Sequence, residues 1–253
     1  MRANLFWLDD DQWQQIEPHL PTDVRGKDRV DDRRVISGIL HVLRSGCRWK
    51  DCPPQYGPHT TIYNRFSRWA ERGIWEKLFR ALAQRGRSTQ TQMIDSTHIK
   101  AHRSAAGGKG GRRGQAIGHS RGGRNTKIHA LADAKGRLLS ILLTAGQAHD
   151  CPPAQRLIRR TTAACKLLGD KAYDSTPLRQ WLAQRGTKPV IPNKSNRKLP
   201  FSFDKKSYSL RHRIENAFSR LKDFRRIATR YDKLARNFLA SVCLVAAIVW
   251  WIL

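Results

Sequence analysis

At 253 residues, with 40% apolar side chains and eight tryptophans, the chain can bury a core without disulfide staples, which excludes a disordered polyelectrolyte. Its 48 Lys and Arg against 20 Asp and Glu leave a net charge of +28 and point to a polyanionic partner, nucleic acid first, with an anionic membrane surface or an RNA-coating role as rivals. Five cysteines at irregular spacings, without a CxxC pair, argue against a zinc ribbon or redox motif and for reduced, cytosolic thiols.

The opening MRANLFWLDDDQW turns acidic too early for a secretion signal, and a first helix is expected over 9–17. Asp31 and Asp32 precede RRVISGILHVLRS, whose Val35, Ile39, Val42 and Leu43 share a face, and Gly46 stands where a left-handed cap belongs. In GPHTTIYNRFSRWAERG, Thr60 or Thr61 is the expected N-cap, Ile62, Phe66 and Trp69 form the stripe, and Gly73 is the stop. IWEKLFRALAQR follows as another amphipathic helix. Short helices joined by tight turns are what a helix-turn-helix DNA reader is built from, and also what many plain packing units are built from.

GRSTQT, residues 86–91, breaks the helical pattern, and the period then falls toward two. TQMIDSTHIKAH reads as a strand; TKIHALAD and RLLSILLT read as a hairpin turning at Gly136. A helix opened by Pro152 and Pro153 is expected within 150–164, then a strand in CKLLGD. STPLRQWLAQRG is a helix with Ser175 or Thr176 as cap, Pro177 near its start and Gly186 at its close. KPVIPNK is a further strand, followed by a helix through 208–222 and a last apolar one. This order suits an α/β fold, a mixed sheet with helices on its faces, behind a small all-α segment. The final FLASVCLVAAIVWWIL is apolar for 16 residues, short of the roughly 20 that span a bilayer, and is expected to be a buried helix with no membrane partner. The glycine-rich, basic segment 105–124 lacks GxxxxGK[ST] and fits either a phosphate-contacting loop or a disordered connector.

Charge is uneven along the chain. Residues 1–86 carry 15 basic and 11 acidic side chains, whereas the remainder has only nine acids, Asp95, Asp133, Asp150, Asp170, Asp174, Asp204, Glu215, Asp223 and Asp232. Glu215 is the sole glutamate after residue 86. In YSLRHRIENAFSRLK, Tyr208, Arg211, Glu215 and Lys222 fall within an arc of about 60° on a helical wheel, beside an apolar arc of Leu210, Ile214, Ala217, Phe218, Leu221 and Phe224. Alone, Arg211 and Glu215 make an ordinary surface pair. Asp95 and Asp170 each end a short apolar run, MID and LLGD. Three carboxylates facing one another repel unless cations occupy the site, and hard oxygen donors select Mg²⁺ or Mn²⁺, two ions in a site that transfers phosphoryl groups. His98 and His102 lack a third ligand for zinc, Asp174 is expected to cap the following helix, Asp133 to serve its hairpin turn, and His149 with Asp150 has no GxSxG elbow.

The spacing Tyr208, Arg211, Glu215 and Lys222, with IDSTHIKAHRSAAG around Asp95 and LLGDKAYDS around Asp170, resembles the Y-R-E-K signature of bacterial DDE transposases of the insertion-sequence-five family. Residues 33–79 resemble that family's helical domain and residues 119–150 its central hairpin. The resemblance implies a helical DNA-binding domain over 1–86 and an RNase H-like catalytic domain over 87–253, with Asp95, Asp170 and Glu215 as catalytic, metal-binding triad and Tyr208, Arg211 and Lys222 assisting DNA contact. It further implies a cytoplasmic, nucleoid-associated enzyme, at least dimeric at work, that acts on terminal inverted repeats and target double-stranded DNA. A nuclease that joins nothing and a decayed, DNA-binding repressor are the alternatives. Only 44 residues separate Asp170 from Glu215, too few for the insertion domain of some relatives, and Ala172 stands where the family pattern has glycine.

Overall fold

The computed structural model describes residues 5–22, 31–85 and 89–253, apart from the side chain of Arg113. The first residues, and the break at 86–88 where the domain boundary was expected, lie outside the described residues. The helical half contains α1 (Asp10–Ile16), α2 (Asp32–Ser45), α3 (His59–Glu71) and α4 (Ile74–Arg85). Asp9 caps α1 by accepting from the Gln12 amide at 2.8 Å while Gln12 returns a bond to the Asp9 amide, and Asp31 caps α2. Gly46 ends α2 at φ +79°, as its position predicts. α3 starts earlier than expected: Pro58 holds the N-cap position with no side-chain bond, so Thr60 and Thr61 lie inside the first turn. Proline's fixed φ and extended ψ already set the entry geometry that a threonine cap was expected to provide.

The second half runs β1 (Thr91–Ala101), a helical turn α5 (Gly111–Gly114), β2 (Gly118–Ser120), β3 (Gly123–Asp133), β4 (Leu138–Ala145), α6 (Ala154–Ile158), β5 (Lys166–Leu168), α7 (Thr176–Gln184) and β6 (Lys188–Val190). It closes with α8 (Lys205–Tyr208), α9 (His212–Lys222), α10 (Arg225–Ala228), β7 (Thr229–Arg230) and α11 (Ala235–Ala247), which continues as a π-helical turn, Ile248–Ile252. The hairpin β3–β4 joins β1 antiparallel, and β5 then β6 add in parallel on the other edge. β2 extends the β3 edge and β7 pairs with the end of β1 at Lys100 and Ala101.

Side chains alternate across this sheet as a pleated strand requires. Met93, Ile99, Ala130 and Leu168 face a core built from α9, α11 and the helical half; Ile94, Leu131 and Leu167 face a second core under α6 and α7. The first cluster is continuous from Ile39 and Trp75 through Leu244 to Ile214, so the helical half and the sheet share one apolar interior. α11 forms its floor. The run Ala235–Ile252 is long and apolar enough to cross a membrane, but 72% of it is buried inside the protein, which makes it a core helix.

α6 is much shorter than the expected span. After Ile158 the run RRTTA offers no large apolar side chain to hold another turn on the sheet, and the Arg160 guanidinium instead donates to the Ile141 carbonyl. The glycine-rich segment carries α5 and β2, and Gln115 ties it to α11 by accepting from the Ala235 amide at 2.6 Å.

Candidate active site

Asp95 sits mid-way along β1, opposite Ala130 of β3, on the face covered by α9. Asp170 follows β5, the parallel neighbour of β1, and its carboxylate caps a 3₁₀ turn by accepting from the Ala172 amide at 2.8 Å. Ala172 does not occupy the left-handed region, so the turn has no need of glycine there. The close approach lies one residue before the acid: a Cβ on Gly169 would stand 3.1 Å from Ile94 and 3.2 Å from the Tyr173 ring.

Glu215 lies in the first turn of α9. The helix begins later than the wheel assumed, because Tyr208 ends α8 and Ser209–Arg211 form a 3₁₀ turn. Despite that change of winding, Arg211 reaches both acids. Its Nη1 donates to Asp95 Oδ2 at 3.0 Å and its Nη2 to Glu215 Oε1 at 2.8 Å. The ordinary pair expected on the helix therefore exists, and the same guanidinium ties the helix to the strand. At the last residue of α9, Lys222 Nζ donates to Thr97 Oγ1 at 2.8 Å, two residues beyond Asp95 on the same face of β1.

Burial pushes the Asp95 carboxyl up to about 6; Arg211 opposes the rise, and the charges of Asp170 and Glu215 add to it. Asp170 and Glu215 thus act on Asp95 from two other elements. Tyr208 feels the same group: burial raises its phenol, with Asp170, Glu215 and Asp95 contributing, while its ring packs edge-on against Phe203 at 5.8 Å. Among the described residues no three His, Cys, Asp or Glu side chains are gathered as a ready-made cation site. The positive charge between Asp95 and Glu215 is the Arg211 guanidinium.

Sequence reasoning missed the support behind β1. Ser96 Oγ donates to Asp150 Oδ1 at 2.6 Å and Lys127 Nζ lies 3.0 Å from the same oxygen, with His129 behind them. This network anchors the residue next to Asp95 from the opposite face of the sheet. Burial holds the His129 imidazole down at about 4, so it is neutral. The signal was present in Asp150, one of only nine acids beyond residue 86, but its partners come from strand alternation and not from its neighbour His149. His98 and His102 part company: the first is near Lys127 and Asp150, the second packs at a tilt against the Tyr231 ring, 4.8 Å between centroids.

Asp174 is not a helix cap. Ser175 holds that position, while the fully buried Asp174 carboxylate accepts from Arg179 at 2.8 Å, Arg197 at 2.7 Å and the Lys194 amide at 2.8 Å. Two arginines outcompete a single orphan amide for a carboxylate. Asp133 does serve its turn, accepting from the Lys135 and Arg137 amides at 2.9 Å each.

Residues 86–250 match the family described as "Transposase DDE domain", and residues 8–79 match "Putative transposase of IS4/5 family". This chain belongs to the DDE transposases. A "Putative transposase for insertion sequence element IS6501" from Brucella ovis is 36% identical over 127 residues, covering 49% of this transposase and 97% of that protein. An uncharacterized protein, y4sN, from Sinorhizobium fredii is 38% identical over 110 residues, 42% of this chain and 87% of that one. In fold the transposase resembles the piggyBac transposase solved in a synaptic complex with hairpin DNA, with a TM-score of 0.56 at 13% identity over 96% of this chain and 72% of that one. The mixed sheet β4-β3-β1-β5-β6, flanked by helices and preceded by a helical segment, is the RNase H-like arrangement expected from the sequence.

Proposed function

We propose that this transposase cuts DNA at the ends of an insertion sequence and joins them to target DNA, with Asp95, Asp170 and Glu215 as its catalytic carboxylates. The observation that carries the reading is the Arg211 bridge from Asp95 on β1 to Glu215 on α9, beside an Asp170 whose charge raises Asp95. Acids after β5 and on α9 that act together on Asp95 of β1, in a chain of net charge +28, have a purpose that packing alone does not give them.

The donor set fits a hard divalent cation, since it is made of carboxylates and already holds a positive charge between two of them. When bound, a pair of Mg²⁺ or Mn²⁺ ions would be held by Asp95, Asp170 and Glu215 and would neutralise charge on the attacking and leaving oxygens of a phosphodiester. The chain's own residues do the rest. Arg211 and Lys222 lie on either side of Glu215 and hold backbone phosphates, with Tyr208 at the rim. In the first step a water oxygen bonds to phosphorus and the 3′ oxygen of the element leaves. In the second, that 3′ hydroxyl attacks a target phosphorus and the target's 3′ oxygen leaves. The helical half, residues 1–86, contacts the terminal repeats, and pairing two ends requires at least a dimer. The site of action is the nucleoid, in the cytoplasm.

The test is a labelled end fragment incubated with Mg²⁺ and a target plasmid. Joined products are expected from the wild type; cleavage without joining would mark a nuclease, and a gel shift alone a repressor. Asp95→Ala, Asp170→Ala and Glu215→Ala should each abolish cleavage and joining while retaining the shift, and any variant that still cuts removes its residue from the site.

A further inference from the structure

At the far end of β1, roughly 20 Å beyond Asp95 at the rise of a strand, the seam between the helical half and the sheet holds a cavity of about 670 Å³. Trp49, from the turn before α3, Tyr63 on α3 and Tyr231 after β7 bring aromatic rings to its wall. Tyr63 and Tyr231 are 39% and 37% exposed. The Arg226 guanidinium lies between two of these rings, 5.4 Å from Trp49 and 5.5 Å from Tyr231. The glycine-rich segment closes the other side with Lys109, and a Cβ on Gly108 would meet the Lys233 carbonyl oxygen at 2.9 Å, so that segment lies directly on the approach to α11.

Arg226, Asp232 and Asn237 line the same recess and are only 6%, 7% and 3% exposed. Each keeps a buried polar atom with no hydrogen-bond partner among the described residues: Nε of Arg226, Oδ2 of Asp232 and Oδ1 of Asn237, with Trp49 Nε1 as a fourth. Buried polar groups are ordinarily satisfied. These atoms lie behind the wall, with Arg226 and Asp232 paired at 3.6 Å, so what the recess offers a ligand is exposed aromatic surface, which matches a planar molecule that stacks by its faces. A nucleobase has that chemistry. An anionic headgroup or a peptide carboxylate does not, because Arg226 is already paired with Asp232 and offers the recess no free charge. Lys109 and Lys233 stand at the exposed rim, where the phosphate of such a nucleotide would lie.

We propose that this recess binds one unstacked nucleobase, with its flanking phosphate on Lys109 and Lys233. The inference rests on DNA being the substrate, and it adds a contact to a single unpaired nucleotide remote from the carboxylates. A base inside a duplex presents no free face, so the recess takes one from a single strand or one turned out of the helix.

The test uses the full chain and three probes: a mixed-sequence single strand, the same sequence fully paired, and that duplex with 2-aminopurine opposite an abasic site. The double variant Tyr63→Ala/Tyr231→Ala is expected to lose about tenfold or more in affinity for the first and third probes and to stay within twofold on the paired duplex. Tyr63→Phe/Tyr231→Phe is expected to restore binding. Equal losses on all three probes, or none on the single strand, overturn the proposal. A wild type that binds none of the three brings down the DNA reading itself. Free dAMP should compete with the single strand on the wild type and not on the double variant; competition by inorganic phosphate in its place overturns base recognition. Should the double variant fail to fold, the wild type decides: it is expected to shield the 2-aminopurine from acrylamide quenching, and an unshielded fluorophore overturns the recess.

Discussion

Arg211 is the residue on which the site turns, because it satisfies two carboxylates that a cation would otherwise share. Both bonds are charge-assisted, and each such bond is worth about 1.5–3 kcal/mol. Removing the guanidinium frees Asp95 and Glu215 for a competing ion. Arg211→Gln is therefore expected to bind Mn²⁺ roughly tenfold more tightly in the DNA-free protein, measured by calorimetric titration, while cutting DNA more slowly for lack of the phosphate contact proposed above. Unchanged Mn²⁺ affinity would mean that Arg211 does not compete. Asp174 presents the opposite case, a carboxylate whose partners are permanent. Its burial favours the neutral form, but bonds from Arg197, the Lys194 amide and Arg179 outweigh this and hold the carboxyl down at about 2, against an ordinary 3.8. A depressed carboxyl stabilises the fold above its unfolded pKa and ceases to do so as pH falls through its folded one. About 2 kcal/mol of stability is thus expected to disappear between roughly pH 4 and pH 2. Asp174→Asn should cost about 3–5 kcal/mol at neutral pH by leaving buried Arg179 uncompensated, read as a fall in the denaturant midpoint.

The placing of α9 depends on the β3–β4 hairpin as much as on its own apolar face. Gly136 turns that hairpin at φ +81°, and a Cβ there would meet the Arg213 carbonyl oxygen at 2.9 Å, while Arg213 donates to the Ala134 carbonyl. Gly136→Ala is accordingly expected to cost about 1–3 kcal/mol in a urea titration and to reduce cleavage beyond what the lost folded fraction explains, because the start of α9 carries Glu215. An activity loss no greater than the unfolded fraction would separate the turn from the site. Gly136 was legible in the sequence as a turn, as were the stripes of α2 and α9, since periodicity and punctuation are local signals. The change of winding at Ser209–Arg211 was not. A 3₁₀ turn and an α-helix share the same apolar stripe over so short a run, and what distinguishes them is the tether of Arg211 to a strand 116 residues away. β2 and β7 escaped notice for a related reason: strands of three and two residues have no period to read. Asp95 and Asp170 stand out among the nine acids beyond residue 86 because each ends a short apolar run, and Glu215 because it is the one glutamate there, whereas the Ser96–Asp150–Lys127 support required knowing which faces of β1 and β3 meet.

At the scale of the molecule, the apolar interior and the charge make different demands on the two halves. One cluster joins Ile39, Trp75, Leu244 and Ile214, so the helical half completes the core of the sheet and any DNA that it holds is fixed relative to Asp95. The sequence suggested two units because composition and period change near residue 86; it could not show that α11, the most apolar segment, would be shared between them. Charge, in contrast, lies mostly at the surface and is lopsided, with 33 of 48 basic residues beyond residue 86. A net charge of +28 destabilises the compact state by self-repulsion and is tolerable chiefly when a polyanion neutralises it. Neutralising each phosphate releases a condensed counterion, so log K falls with log salt at a slope of about −0.9 per contact. If six or more basic side chains meet phosphates, duplex affinity should fall about a thousandfold or more between 50 and 200 mM KCl. Lys222→Ala, which removes one of the contacts proposed above, should make the slope shallower by about one. Fluorescence anisotropy over a salt series measures both quantities, and a slope shallower than about −2 would mean that most of this charge faces something other than DNA.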